Sequence, residues 1–233
     1  MRNLCLLTLL VVFGLAAMRA PAGDTETGFT SLFNGKDLTG WVYKGSKEDL
    51  TGKTETADKR FTVERGAIIA QEGKGIKDLY TMKSFGSDFQ LKLEFRAWPK
   101  ADSGVYVRGP QLQVRDYGRR NERPQLKGNF KDDDWNSLDI RVKAGVIVNK
   151  VNGKDLTATD ALDLSIRNGR PTAKLNGKDV EVRDISVKNS IVASCYCNGI
   201  LLEDMVVPAS GGVGLQAETG KFEFRNIRVK ELP

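Results

Sequence analysis

Three short runs place side chains suited to hydrogen bonding and charge stabilisation at alternate positions. Residues 89–95 read FQLKLEF, residues 105–108 read VYVR and residues 111–115 read QLQVR. Alternation of apolar and polar residues is the pattern of a half-buried strand. Leu91, Leu93 and Phe95 then face the core, while Lys92, Glu94 and Arg96 face the other way. By the same rule Tyr106 and Arg108 point out from the second run, and Gln111, Gln113 and Arg115 from the third. Consecutive strands usually lie side by side. The expectation is therefore one polar sheet face that gathers Glu94, Arg96, Tyr106, Arg108, Gln113 and Arg115, flanked by Trp135 and Asn136. Such a face can hydrogen-bond hydroxyls and stack a sugar ring. The plainer alternative is a wet sheet face carrying ordinary cross-strand ion pairs.

No histidine occurs in the chain. That excludes a Ser-His-Asp triad, a Cys-His pair, an H-E-x-x-H zinc site and a histidine general base. Acid-base chemistry must come from Asp, Glu, Lys, Tyr or water. Any metal must be held by oxygen, which favours calcium or magnesium. Asp116, or an aspartate of the run 132–134, is the candidate ligand, and a solvated loop is the plainer account of that run. Cys195 and Cys197 stand two apart in Cys-Tyr-Cys, a spacing that strains a mutual disulfide and reads as two buried thiols.

The elements that must position these groups are strands. Residues 138–142, 222–224 and 227–229 also alternate. Asn-Gly pairs recur at 34–35, 152–153, 168–169, 176–177 and 198–199, and Asn-Gly is the strongest short hairpin signal because both residues accept positive φ. No long amphipathic helix is legible, and residues 74–82 allow one helical turn or a loop. Residues 137–156 resemble 161–180, with a fainter third copy at 183–199, so a duplicated meander of hairpins is expected. Residues 116–134 and 44–59 are polar and unpatterned, and loops of that length in a compact domain are commonly functional or mobile. Many short strands with regular turn signals predict an all-β sandwich or barrel.

The first residues read as an export signal: a basic start, an apolar run over 4–17, and small residues at Ala20 and Ala22 for cleavage. The expectation is a signal peptide over 1–22, an uncleaved anchor being the lesser alternative, and one domain over 23–233, periplasmic or extracellular with no membrane span. The net charge of +6 falls to about +4 once Arg2 and Arg19 leave. The remaining charge is spread along the chain, without the basic-aromatic clustering that nucleic acid requires.

Several segments together resemble the 3-keto-disaccharide hydrolase domain family. They are 32–41 (LFNGKDLTGW), 61–70 (FTVERGAIIA), 85–96 (FGSDFQLKLEFR), 102–108 (DSGVYVR), 111–116 (QLQVRD), 134–136 (DWN), 212–216 (GVGLQ) and 222–230 (FEFRNIRVK). The matches run in order over most of the chain. The resemblance implies a concanavalin A-like jelly-roll β-sandwich of antiparallel sheets, and activity on 3-keto-glycosides by hydrolysis or by an elimination and hydration route. A ketone at C3 acidifies the proton on C2, so a carboxylate can remove it and the glycosidic oxygen can leave from C1. On that route Glu94 is expected as base, with Arg96 and Arg108 stabilising the enolate-like charge. Tyr106, Gln113, Trp135, Asn136 and Gln216 would bind substrate, and Asp116 would hold a divalent cation that polarises the ketone. The chain departs from the family at 217–220 (AETG), where an acidic-histidine pair is common, in the loop after Asp116, and in a longer hairpin region over 142–208. The rival reading is a carbohydrate-binding or cell-surface module without catalysis. Trp41 and Trp98 are expected as core or edge packing.

Overall fold

The computed structural model describes residues 26–86, 88–157, 160, 162–167 and 170–233. The signal expected over 1–22 and the Asn168-Gly169 turn lie outside them. The strands in chain order are β1 (Thr30–Ser31), β2 (Trp41–Tyr43), β3 (Phe61–Glu64), β4 (Ala67–Ala70), β5 (Lys77–Thr81) and β6 (Phe89–Ala97). Then come β7 (Asp102–Val107), β8 (Gln111–Arg115), β9 (Asn136–Val151), β10 (Lys154–Asp155), β11 (Leu162–Arg167) and β12 (Arg170–Leu175). The last are β13 (Lys178–Glu181), β14 (Ile185–Cys197), β15 (Ile200–Val206), β16 (Val213–Ala217) and β17 (Phe222–Glu231), and one short helix, α1 (Tyr117–Arg120), follows β8.

The strands form an antiparallel jelly-roll sandwich. The larger sheet has the order β15-β14-β9-β6-β17-β4-β3, with β1 on β17 and β10 on β9. The smaller sheet has the order β2-β5-β16-β7-β8, and β11-β12-β13 form a third sheet of their own. The inward residues of the two main sheets make one core. Leu91, Leu93 and Phe95 from β6 meet Val105, Val107, Leu112, Val114 and Leu215 from the smaller sheet, all essentially inaccessible. Phe95, Phe222, Phe224, Phe130 and Tyr117 add a chain of ring contacts at 5.2–6.2 Å. Truncating one such buried residue to alanine costs about 2–5 kcal/mol.

Consecutive strands repeatedly cross between the sheets. β6 belongs to the larger sheet, while β7 and β8 belong to the smaller one. The expectation that these three lie side by side is therefore wrong. The link 98–101 does not fold back within a sheet; it carries Ala101 into the core at the sandwich edge. Alternation sorts a strand's faces but does not say which sheet the strand joins.

Three of the Asn-Gly pairs make positive-φ hairpin turns: Asn152-Gly153, Asn176-Gly177 and Asn198-Gly199. Asn34 instead uses its side chain, accepting the N–H groups of Lys36 and Asp37 in an Asx-type turn. The repeat copies do not each form one hairpin. β9 runs straight through Gly145 and pairs with β14 along thirteen residues of the latter. β6 covers β9 only from Asn136 to Val142, so the rest of β9 and its partner β14 extend beyond it as an arm, joined at its tip by β10. Residues 74–82 are neither helical turn nor loop throughout, because 77–81 form β5 in the smaller sheet.

Candidate functional site

The outward face of the smaller sheet is built from aligned positions on β5, β16, β7 and β8. Gly214 pairs with Tyr80 on one side and Tyr106 on the other, and Tyr106 pairs with Gln111. Because Gly214 has no side chain, the two phenol rings meet across it, stacked at 5.2 Å and 28°. A Cβ on Gly214 would lie 2.7 Å from the Tyr80 ring. Asp78 pairs with Gln216, and Gly104 with Gln113. A Cβ on Gly104 would overlap the Gln111 amide, so glycine there lets Gln111 reach across its neighbour to Gln216.

These side chains form one directional chain of hydrogen bonds. Gln111 Nε2 donates to Gln216 Oε1 at 2.8 Å, and Gln216 Nε2 donates to the Tyr106 hydroxyl at 2.7 Å. Tyr106 Oη donates to Asp78 Oδ1 at 3.1 Å. Lys44, just beyond β2, reaches Asp78 Oδ2 at 3.2 Å and sits 5.6 and 5.9 Å from the two tyrosine ring centres. Burial first, and the Asp78 charge second, push the Tyr80 hydroxyl up to about 12. The same causes raise Tyr106 further. Both phenols stay protonated at neutral pH, so Tyr106 is a donor and not an anion.

The other end of the face is braced. Asp102 is buried and accepts from Gln113, from Arg115 Nε at 2.9 Å and from Arg120 Nη2 at 3.3 Å. Arg115 and Arg120 also grip Glu122, which ties α1 and the loop after it to the sheet.

The expected site residues divide between two opposite surfaces. Tyr106, Gln113 and Gln216 lie on the face just described. Glu94 and Arg96 lie on the outward face of the larger sheet, across the core. There Glu94 pairs in register with Arg225, whose Nε donates at 2.6 Å, and Arg96 pairs with Glu223. Burial by itself would raise Glu223, but hydrogen bonds from Arg96, Trp98 and Lys221 outweigh it and hold the carboxyl below its ordinary value. Trp135 lies against both guanidinium groups, 3.9 Å from Arg225 and 4.9 Å from Arg96. Glu94 and Arg96 are thus held in cross-strand ion pairs and cannot share a sugar ring with Tyr106.

Three further expectations change with local geometry. Arg108 is not the last outward residue of β7. It opens the turn with φ 53°, is buried, lies 5.1 Å from the Phe89 ring and donates to Pro208 O at 3.3 Å. Burial lowers its pKa from the ordinary value. Asn136 is inaccessible to substrate: its amide clamps Lys131, Asp134 and Asn198 together. Asp116 is also buried, accepting the Lys100 N–H at 2.8 Å and pairing with Arg119 at 3.4 Å. A cation site is not built around it. Among the described residues no group of three or more Asp, Glu or Cys side chains is placed to hold a metal ion. Cys195 and Cys197 are free and buried, and burial pushes both thiols up to about 12. Trp41 is core, with its indole N–H on Leu32 O; Trp98 is 42% exposed just past the end of β6, an interior strand, and donates to Glu223.

Asp78, Tyr80, Lys44, Gln111 and Asp102 belong to this candidate site although the sequence pattern does not select them. Asp78-Leu79-Tyr80 does alternate, but with a single apolar residue as signal.

The fold is thus a two-sheet antiparallel jelly roll whose smaller sheet carries a polar, tyrosine-floored groove. The chain belongs to the family of 3-keto-alpha-glucoside-1,2-lyase-like domains, which matches residues 28–230. Among solved structures it is similar to a candidate glycosyl hydrolase from Parabacteroides distasonis, at 18% identity and TM-score 0.48, over 88% of this chain and 94% of that one. It is also similar to the carbohydrate-binding module CBM66 from Bacillus subtilis, at 14% identity and TM-score 0.32, over 89% and 98% of the two chains. No curated protein matches the chain. No helix among the described residues is long and apolar enough to cross a membrane.

Proposed function

We propose that the groove on the smaller sheet binds a 3-keto-glycoside and cleaves it by elimination followed by hydration. The observation that carries the reading is the hydrogen-bond chain that ends on Asp78, beside two stacked phenols and one ammonium. Asp78 takes the place expected for Glu94. Its carboxylate removes the proton from C2, the C1–O bond breaks, and the departing oxygen takes a proton from Lys44. The C1=C2 bond so formed then adds water. Hydroxide goes to C1, the proton held by Asp78 returns to C2, and the second proton of water restores Lys44. The Tyr106 hydroxyl holds Asp78 in position, and the second N–H of each of the Gln111 and Gln216 amides orients sugar oxygens and offsets the enolate charge.

The test is release of 4-nitrophenol from 4-nitrophenyl 3-keto-α-glucoside by the purified protein. Asp78→Asn should slow release about 10²- to 10⁴-fold, the usual contribution of a positioned base. The alternative is sugar binding without turnover. It is favoured by the two glutamine amides at the centre of the groove and by the bracing of Asp102 on two arginines. Bound substrate with no release would decide for it. We further propose that the protein works outside the cytoplasm, on the strength of the export pattern in residues 1–22.

A further inference from the structure

The larger sheet's outward face carries a second constellation that the reaction above leaves unused. Glu94, Lys131, Asp134, Trp135, Ser137, Asn198 and Arg225 line a cleft of about 310 Å³ there, at the small end of ligand clefts. Its aromatic element is Trp135. Arg225 and Arg96, on neighbouring strands of the sheet, pack against this half-buried indole at 3.9 and 4.9 Å.

Two features narrow the ligand. The charges in the lining balance, Arg225 paired with Glu94 and Lys131 equalled in number by Asp134, so the cleft offers little net attraction to an anion. It does offer fixed hydrogen-bonding groups. Arg225 spends Nε on Glu94 and carries four more N–H donors, and a carboxylate such as Glu94 has lone pairs for several donors. An aromatic plane ringed by paired donors and acceptors suits a neutral, polyhydroxylated ring whose C–H face is apolar. The platform is also rigid before any ligand arrives. The buried Asn136 amide ties Lys131 to Asp134, and Asn198 ties the strand end at Ser137 to Asn129. Preorganised groups lose less entropy on binding.

We propose that this cleft is a second carbohydrate site, which holds a neutral pyranose unit of a glycan by stacking on Trp135. Packed sheets lie roughly 10 Å apart, so one ring cannot occupy both this cleft and the groove on the opposite sheet. The protein can therefore rest on a glycan by one face and keep the other free. No acid-base group is required here, and no ketone on the sugar.

Cellotetraose and maltotetraose, which are neutral and unoxidised, test this by calorimetric titration of the purified protein. At least one should bind. Trp135→Ala should weaken that binding on the order of tenfold, with a smaller loss in Trp135→Phe, which keeps a ring and guards against misfolding. Tyr106→Phe should leave it unchanged. Absence of binding by both tetrasaccharides overturns the proposal, as does undiminished binding by Trp135→Ala. Loss on Tyr106→Phe also overturns it, because the sugar would then sit in the other groove. Since neither probe carries a ketone, these outcomes are independent of whether 4-nitrophenol is released from the oxidised glycoside.

Discussion

Tyr106 spends one oxygen on two partners, accepting from Gln216 and donating to Asp78. Removing that oxygen leaves the Gln216 amide without its acceptor, and a lost buried hydrogen bond costs about 1–3 kcal/mol when its partner stays behind. Tyr106→Phe should therefore reduce kcat/KM on the oxidised glycoside on the order of tenfold or more, with the melting temperature lowered by a few degrees. Alkaline pH offers a second check. Tyr80 keeps its proton to about 12 in the folded chain but releases it near 10 when unfolded. Above pH 10 the unfolded state holds fewer protons, so stability falls as pH rises from 10 toward 12. Phenolate absorbance should appear together with unfolding. A full tyrosine titration near pH 10 with native circular dichroism would contradict the burial of these phenols.

At the level of elements, the groove depends on glycine within strands. β7 and β16 each give up a side chain, at Gly104 and Gly214, and their neighbours fill the space with groups that bind each other. Neither glycine has a positive φ, so an added methyl is opposed by the neighbour and not by the backbone. Gly104→Ala should displace Gln111 from Gln216 and lower sugar affinity several-fold, while stability falls by about 1 kcal/mol. Retained affinity would show that the amide chain is not needed for recognition. The arm obeys a different rule. Between Val142 and Ala193 only Ile191 packs against the main core among the described residues. Replacing 146–189 by Asn-Gly, which would join the paired Gly145 and Ser190, should leave a folded sandwich whose melting temperature lies within about 5 °C of the full chain. Failure of that shortened chain to fold would assign the arm a part in the core.

For the whole molecule, the sandwich explains why one polar face became two. Each main sheet has one inward face, and both inward faces are spent on the shared core. The outward faces then point in opposite directions, one with Tyr106, Gln113 and Gln216, the other with Glu94, Arg96 and Trp135. A chain that works at a glycan surface can use both. Export is the complementary expectation at this scale: mass analysis of the mature protein should find its first residue just after Ala20 or Ala22, and a retained Met1 would contradict it.

The all-β class, most strand positions, the hairpin turns at Asn152, Asn176 and Asn198, and the inward or outward sense of Glu94, Tyr106 and Gln113 follow from local pattern. Each depends on neighbours within a few residues, through backbone φ preferences and the two-residue period of a strand. Which strands share a sheet does not. β6 and β7 have the same alternation whether they pair or face each other across a core, so only the packed structure could separate Glu94 from Tyr106. Asp78 escaped notice for a related reason: β5 is five residues long with Leu79 as its one fully buried aliphatic residue. Its neighbours on the sheet, contributed by β16 and β7 from far along the chain, make it part of the polar groove. Of the six residues expected on one face, Tyr106, Gln113 and Arg115 therefore stay on the smaller sheet, Glu94 and Arg96 stand on the larger one beside Trp135, and Arg108 is buried at the turn.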